Sequence, residues 1–272
     1  MEGVCDLRVK IAIKEQKMEY TQEQKETLFE QSKTVSYDST HYVFHFEAGS
    51  LAEQEILLIA QEQEQCYCKI CATLQVAHTE KIHYYFTESP LEIGRVFWEE
   101  GTLCNGVALC GRSESKIYAV YNESTKCIGP HEDTHLISFA INFPESDFVV
   151  EGLAMCMDGL WWGVPNEVWA AYYKRNNPEL SVILLLDNAV FATKGCEVTY
   201  PIAGAFTSFL INTYGIGRYL ELYKYKGNAY QDVFPSIFHT TFAEVEHDFW
   251  VQLRNVEFDA IALEEMLRAE DC

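Results

Sequence analysis

The sequence predicts an α+β protein, a small twisted sheet followed by a mainly helical C-terminal half. Segments with strand character fall before about residue 125, whereas helical periods and helix-start signals dominate after residue 128. Between the two, residues 131–135 read His-Glu-Asp-Thr-His just after a proline suited to the first turn of a helix.

Residues 1–40 open with an alternating segment (Leu7, Val9, Ile11, Ile13) and then turn polar without a tidy period, which reads as a strand followed by a helix or a loosely packed arm. Residues 41–46 (HYVFHF) have strand character. Ser50 with Glu53 matches a capping box, and Ile56, Leu57, Ala60, Tyr67, Ile70 and Leu74 then recur at helical spacing. Residues 81–87 (KIHYYFT) read as a strand, 90–98 as a helix, and 106–110 and 116–121 as strands parted by a Gly-Arg-Ser-Glu-Ser turn. Helices are expected from Pro130 to about Ala140, over 147–160, from Pro165 to about Tyr173, after Asn177-Pro178, over 201–214, and after the capping box of Thr241 and Glu244. The chain thus divides into an arm (1–40), an α/β part that ends with the motif helix (41–143) and a helical part (144–272).

Composition narrows the partners. The 41 acidic residues outnumber the 20 lysines and arginines, for a net charge of −21. Such a chain lacks the cations that displace condensed counterions from nucleic acid, and an anionic membrane surface repels it. No basic leader with an apolar core opens the chain, and its longest apolar run, 180–186, is far shorter than the roughly 20 residues that span a bilayer. A soluble, cytoplasmic protein with reduced cysteines is expected.

The motif carries the chemistry. At i and i+4 on a helix, His131 and His135 share one face and can offer two imidazole nitrogens to one Zn²⁺. Glu132 points beside that face, where a carboxylate can take a proton from an activated water. A hydrolytic zinc site uses three protein ligands and an open position. The third candidate is Glu151, a carboxylate in an apolar helical stretch (Val-Val-Glu-Gly-Leu-Ala), where burial demands a partner.

With HEDTH at 131–135, EGLA at 151–154 and the stretch YPIAGAFTSFLINTYG from residue 200, the sequence resembles the gluzincin metallopeptidases, in particular the peptidase MA-like domains. The resemblance spans about residues 40–255 and implies a zincin-like fold, with one Zn²⁺ per chain held by His131, His135 and Glu151. It also implies that Glu132 is the catalytic base and that Tyr200 stabilises the oxyanion. The interval between His135 and Glu151 is shorter than in the thermolysin-like and aminopeptidase branches, and no GAMEN-like motif precedes the helix, so substrate preference does not carry over. The expected function is hydrolysis of a peptide or protein substrate. An inactive zincin fold that binds a peptide or partner, and a zinc hydrolase of a non-peptide amide or ester, are the alternatives.

Other residues are weighed against this site. Asp158, on the same helical face as Glu151, is a candidate to orient a ligand histidine. Residues 116–121 are expected to offer a sheet edge to an extended peptide. Cys66, Cys68 and Cys71 diverge around a helix, and His41 and His45 are about 13 Å apart on a strand, so neither set suits a metal. His239 and His247 read as surface or core histidines. The aromatic cluster Trp161, Trp162, Trp169, Tyr172 and Tyr173 reads as packing, with a cleft wall as the alternative.

Overall fold

The computed structural model describes residues 20–270; the alternating segment around Leu7–Ile13 lies outside them. Helix α1 (Gln22–Ser32) opens on a capping box in which Thr21 and Gln24 satisfy each other's backbone N–H groups. Only Glu26 and Phe29 of α1 are buried, which is why no apolar period marks it in the sequence.

Five strands form one mixed sheet: β1 (Val35–Asp38), β2 (Tyr42–Phe46), β3 (Ile82–Thr87), β4 (Gly106–Leu109) and β5 (Ser115–Val120), in the order β1-β2-β3-β5-β4. β2, β3 and β5 run parallel, and the edge strands β1 and β4 are antiparallel to their neighbours. β1 therefore belongs to the sheet although it lies in the segment read as an arm. The parallel pairs require crossovers, supplied by α2 (Leu51–Leu74) and α3 (Pro90–Phe97).

Alternation divides the side chains between two faces. Phe44, Tyr84, Ile117 and Ala119 face the main core beneath α2, and Tyr85, Tyr118 and Val120 meet Phe29 of α1 and Ile93 and Val96 of α3. Along α2 the buried stripe runs Ile59, Gln63, Tyr67, Ile70, Leu74, with one amide among apolar groups.

The rest of the described residues are helical apart from one short hairpin and the connecting loops. The motif helix α4 (Pro130–Phe139) is followed by α5 (Asp147–Asp158), the two-residue strands β6 (Leu160–Trp161) and β7 (Val164–Pro165), and α6 (Asn166–Asn176). The short helices α7 (Val182–Leu185) and α8 (Asn188–Thr193) lead into α9 (Cys196–Tyr214). Then come α10 (Ile216–Tyr223), α11 (Tyr230–Phe238), α12 (Phe242–Leu253) and α13 (Ala260–Glu270). The protein is thus α+β, with a small mixed sheet and a helical C-terminal half. The β6–β7 hairpin is the exception to strands ending before residue 125. Its turn places both Trp162 and Gly163 at positive φ, the geometry of a tight two-residue connection. No helix among the described residues is long and apolar enough to cross a membrane.

Candidate metal centre

Helix α4 starts at Gly129, whose φ of 112° only glycine adopts without strain, and Pro130 supplies a first-turn residue with preset φ. A buried clasp fixes this end. The Gly129 N–H donates to Oε1 of Gln63 at 2.6 Å, and Nε2 of Gln63 donates to the Gly129 carbonyl at 3.2 Å and to Oδ2 of Asp133 at 3.0 Å. The Tyr42 hydroxyl of β2 donates to the same Asp133 oxygen. Burial pushes the Asp133 carboxyl up to about 8, with the Tyr42 hydrogen bond pulling the other way. Position 133 lies on the helix face turned away from His131, so the motif helix is keyed to α2 and β2 from behind.

On the other face, three donors converge. Nε2 of His131 and Nε2 of His135 are 3.3 Å apart, and Oε2 of Glu151 on α5 lies 3.4 Å from the first and 3.5 Å from the second. A tetrahedral Zn²⁺ with ligand distances of about 2.0–2.1 Å holds its ligands about 3.3 Å apart, so the triangle fits such an ion. Among the described residues this is the one cluster of three or more His, Cys, Asp or Glu side chains with metal-ligand spacing. Oε2 of Glu151 is buried and has no hydrogen-bond partner, an arrangement that a cation would satisfy.

The electrostatics point the same way. Burial alone would raise the Glu151 carboxyl, but the charges of His135 and His131 hold it well below the usual carboxylate range. Burial disfavours a charged His131, yet the Glu151 and Glu132 carboxylates lift it to about 9. A carboxylate between two imidazoles thus draws positive charge to this point.

Glu132 lies beside the triangle and against β4. A Cβ built on Gly106 would come within 2.5 Å of Oε1 of Glu132 and 2.8 Å of Sγ of Cys127, so a glycine is needed for this approach. Glu151 is placed by close helix packing. A Cβ on Gly152 would sit 2.6 Å from Oγ1 of Thr207 and 3.0 Å from the Ala203 carbonyl, and one on Gly204 would sit 2.7 Å from Cβ of Met155. These glycines let α5 and α9 touch along their backbones, which brings Tyr200 of α9 to the site.

The Tyr200 ring lies nearly parallel to that of His131 at 6.1 Å, with Phe191 at 6.1 Å and the edge of Trp161 at 5.7 Å. Burial, and then the Glu151 charge, raise its phenol well above the ordinary value. A cavity beside Glu151 is lined by Asp147, Phe191, Cys196, Thr199 and Tyr200.

The structure therefore gathers His131, His135 and Glu151 within contact of one point and sets Glu132 and Tyr200 next to them. Two other expectations, the sheet edge and Asp158, are corrected, whereas the readings of His41 and His45 and of the aromatic cluster agree with the structure. Residues 115–120 form β5, which is paired on both sides, so the edge expected there belongs to β4. Asp158 hydrogen-bonds to neither His131 nor His135, which meet Glu151 and each other instead. His41 pairs with Glu64, whereas His45 meets His83 at 3.0 Å, so the two occupy different sites. Trp161 stands against Tyr200, and Trp169 and Tyr172 pack with Leu263 in a satellite cluster. Asp133, Gln63 and Tyr42 escaped the sequence reading. The available signals were a carboxylate on the inward side of the motif helix and an amide in the apolar stripe of α2.

No family model matches the chain, and comparison with curated proteins returns no match.

Proposed function

We propose that this protein is a zinc-dependent hydrolase of peptide bonds with a zincin-like architecture, as its resemblance to the gluzincins implies. One observation carries the reading: two imidazole nitrogens and a buried, unpartnered carboxylate oxygen lie 3.3–3.5 Å apart, with a further carboxylate alongside.

His131, His135 and Glu151 would hold the ion. When bound, zinc supplies Lewis-acid polarisation of a carbonyl and makes water a nucleophile near neutral pH. Glu132 accepts the proton of the attacking water at a carboxylate oxygen and returns it to the leaving amine nitrogen. Gly106 leaves room for that carboxylate against β4. The Tyr200 phenol keeps its proton, because its pKa is raised, and donates it in a hydrogen bond to the developing oxyanion. The edge of β4 offers backbone groups to an extended peptide, which is bound by strand addition.

Metal analysis of the purified protein, beside a mixed-peptide cleavage assay of wild type and Glu132→Gln, tests the proposal. One zinc per chain in both proteins is expected, with cleavage reduced at least about 100-fold in the variant. Absence of zinc after reconstitution overturns the site. Full zinc occupancy without hydrolysis of any peptide by wild type leaves a peptide-binding protein or a hydrolase of non-peptide amides or esters.

A further inference from the structure

The net charge of −21 predicts attraction to basic peptides, but the surface beside the base is of another kind. Residues 101–111 (GTLCNGVALCG), which contain β4, and 134–144 (THLISFAINFP), which contain the second half of α4, hold no Asp, Glu, Lys or Arg, although 22% of the chain is charged. Both segments expose large apolar groups: Leu103 is 69% exposed, Phe139 41% and Phe143 55%. Phe139 and Phe143 stand on and just after the helix that carries the motif, and an exposed apolar surface beside a candidate active site marks a binding surface.

Its position follows from helix and strand geometry. Phe139 stands one turn beyond His135 and two beyond His131, on the side of α4 that carries the metal ligands. Its ring touches the turn after the edge strand: a Cβ on Gly111 would lie 3.2 Å from Cζ of Phe139. Phe143 extends the surface, its ring centroid 5.8 Å from that of Phe139. β4 and the turn that follows it therefore run along α4 from Gly106, at the Glu132 carboxylate, to Gly111, at Phe139. Seven residues of helix rise about 10 Å, and an extended peptide advances about 3.3 Å per residue. A peptide laid on β4 with its reacting bond at Glu132 reaches Phe139 about three to four residues away.

We infer that Phe139 and Phe143 form a specificity subsite that takes an aromatic or bulky aliphatic side chain of the substrate, about three to four residues from the bond cleaved. The subsite selects an uncharged side chain at short range, while the acidic remainder of the protein acts at long range only. It rests on the hydrolase reading for what is cut, and on the β4–α4 surface alone for what is bound.

The test uses decapeptide pools, each fixed at one position as Phe, Leu, Ala, Lys or Glu and degenerate elsewhere. Binding is followed by fluorescence polarisation with zinc-loaded Glu132→Gln protein, which separates binding from turnover. Pools fixed as Phe or Leu are expected to bind about tenfold more tightly than those fixed as Ala, and the Lys and Glu pools no better than Ala. Adding Phe143→Ala, the more exposed of the two positions, should reduce that preference to threefold or less, whereas Phe139→Leu should keep it. Equal binding of the Phe and Ala pools overturns the subsite, as does a preference that survives both Phe139→Ala and Phe143→Ala in proteins with unchanged thermal unfolding. If wild type cuts none of the pools while the binding preference stands, the hydrolase reading fails and the subsite does not.

Discussion

The two walls of the site are built differently. Glu132 is set against a strand edge, where the approach depends on the missing side chain of Gly106 and the strand segment, residues 101–111, holds no charged side chain. Glu151 and Tyr200 stand on two helices pressed together through Gly152 and Gly204, beside a cavity that includes Asp147. A glycine is essential to both walls, but for different reasons. At Gly106 it leaves room for a movable carboxylate; at Gly152 it leaves room for another helix's backbone.

The same substitution should therefore separate the walls. Gly106→Ala displaces the Glu132 carboxylate at little cost to the fold, so kcat/KM is expected to fall about 100-fold with thermal unfolding nearly unchanged, the size of a lost general base. Gly152→Ala forces α5 from α9 and should destabilise the protein by about 1–3 kcal/mol in chemical denaturation, with zinc affinity falling as Glu151 moves. Equal effects of the two on stability would break the contrast. Tyr200→Phe keeps the ring packed against His131 and removes one donor, so a loss of at least about tenfold in kcat with zinc content unchanged is expected. If kcat is unaffected, Tyr200 belongs to the packing of its wall.

The smallest effect lies away from both walls. Burial, aided by His83, lowers His45 from its ordinary 6.5 to about 4, so the folded protein binds fewer protons there than the unfolded chain. That contribution is intact above pH 6.5 and is lost as pH falls from 6.5 towards 4. His45→Gln should flatten this part of the stability–pH curve while leaving zinc content and cleavage at neutral pH unchanged.

Legibility followed the range of the interactions. Pro130, the i and i+4 histidines and the capping signals of Ser50 and Thr241 act within a few residues, and α2, α4 and α12 appear where those signals set them. The α1 capping box was equally local, but without an apolar stripe behind it the segment reads as a helix or a loosely packed arm alike. Strand order was not legible: β4 and β5 both read as strands, and only pairing across the sheet makes β4 the edge. Asp133 likewise looked like filler within the motif, because its partners Tyr42 and Gln63 are 91 and 70 residues away.

By itself the sequence determined the α+β division, the motif helix and the residues able to ligate a metal, since each depends on periodicity or on side-chain chemistry. Only the tertiary structure decided that Glu151 meets the two histidines, that Tyr200 stands beside His131, and that an uncharged strand and its following turn lead from Glu132 to Phe139. Those are contacts between segments remote in the chain, set by helix packing and strand pairing, which residue type and local spacing do not specify.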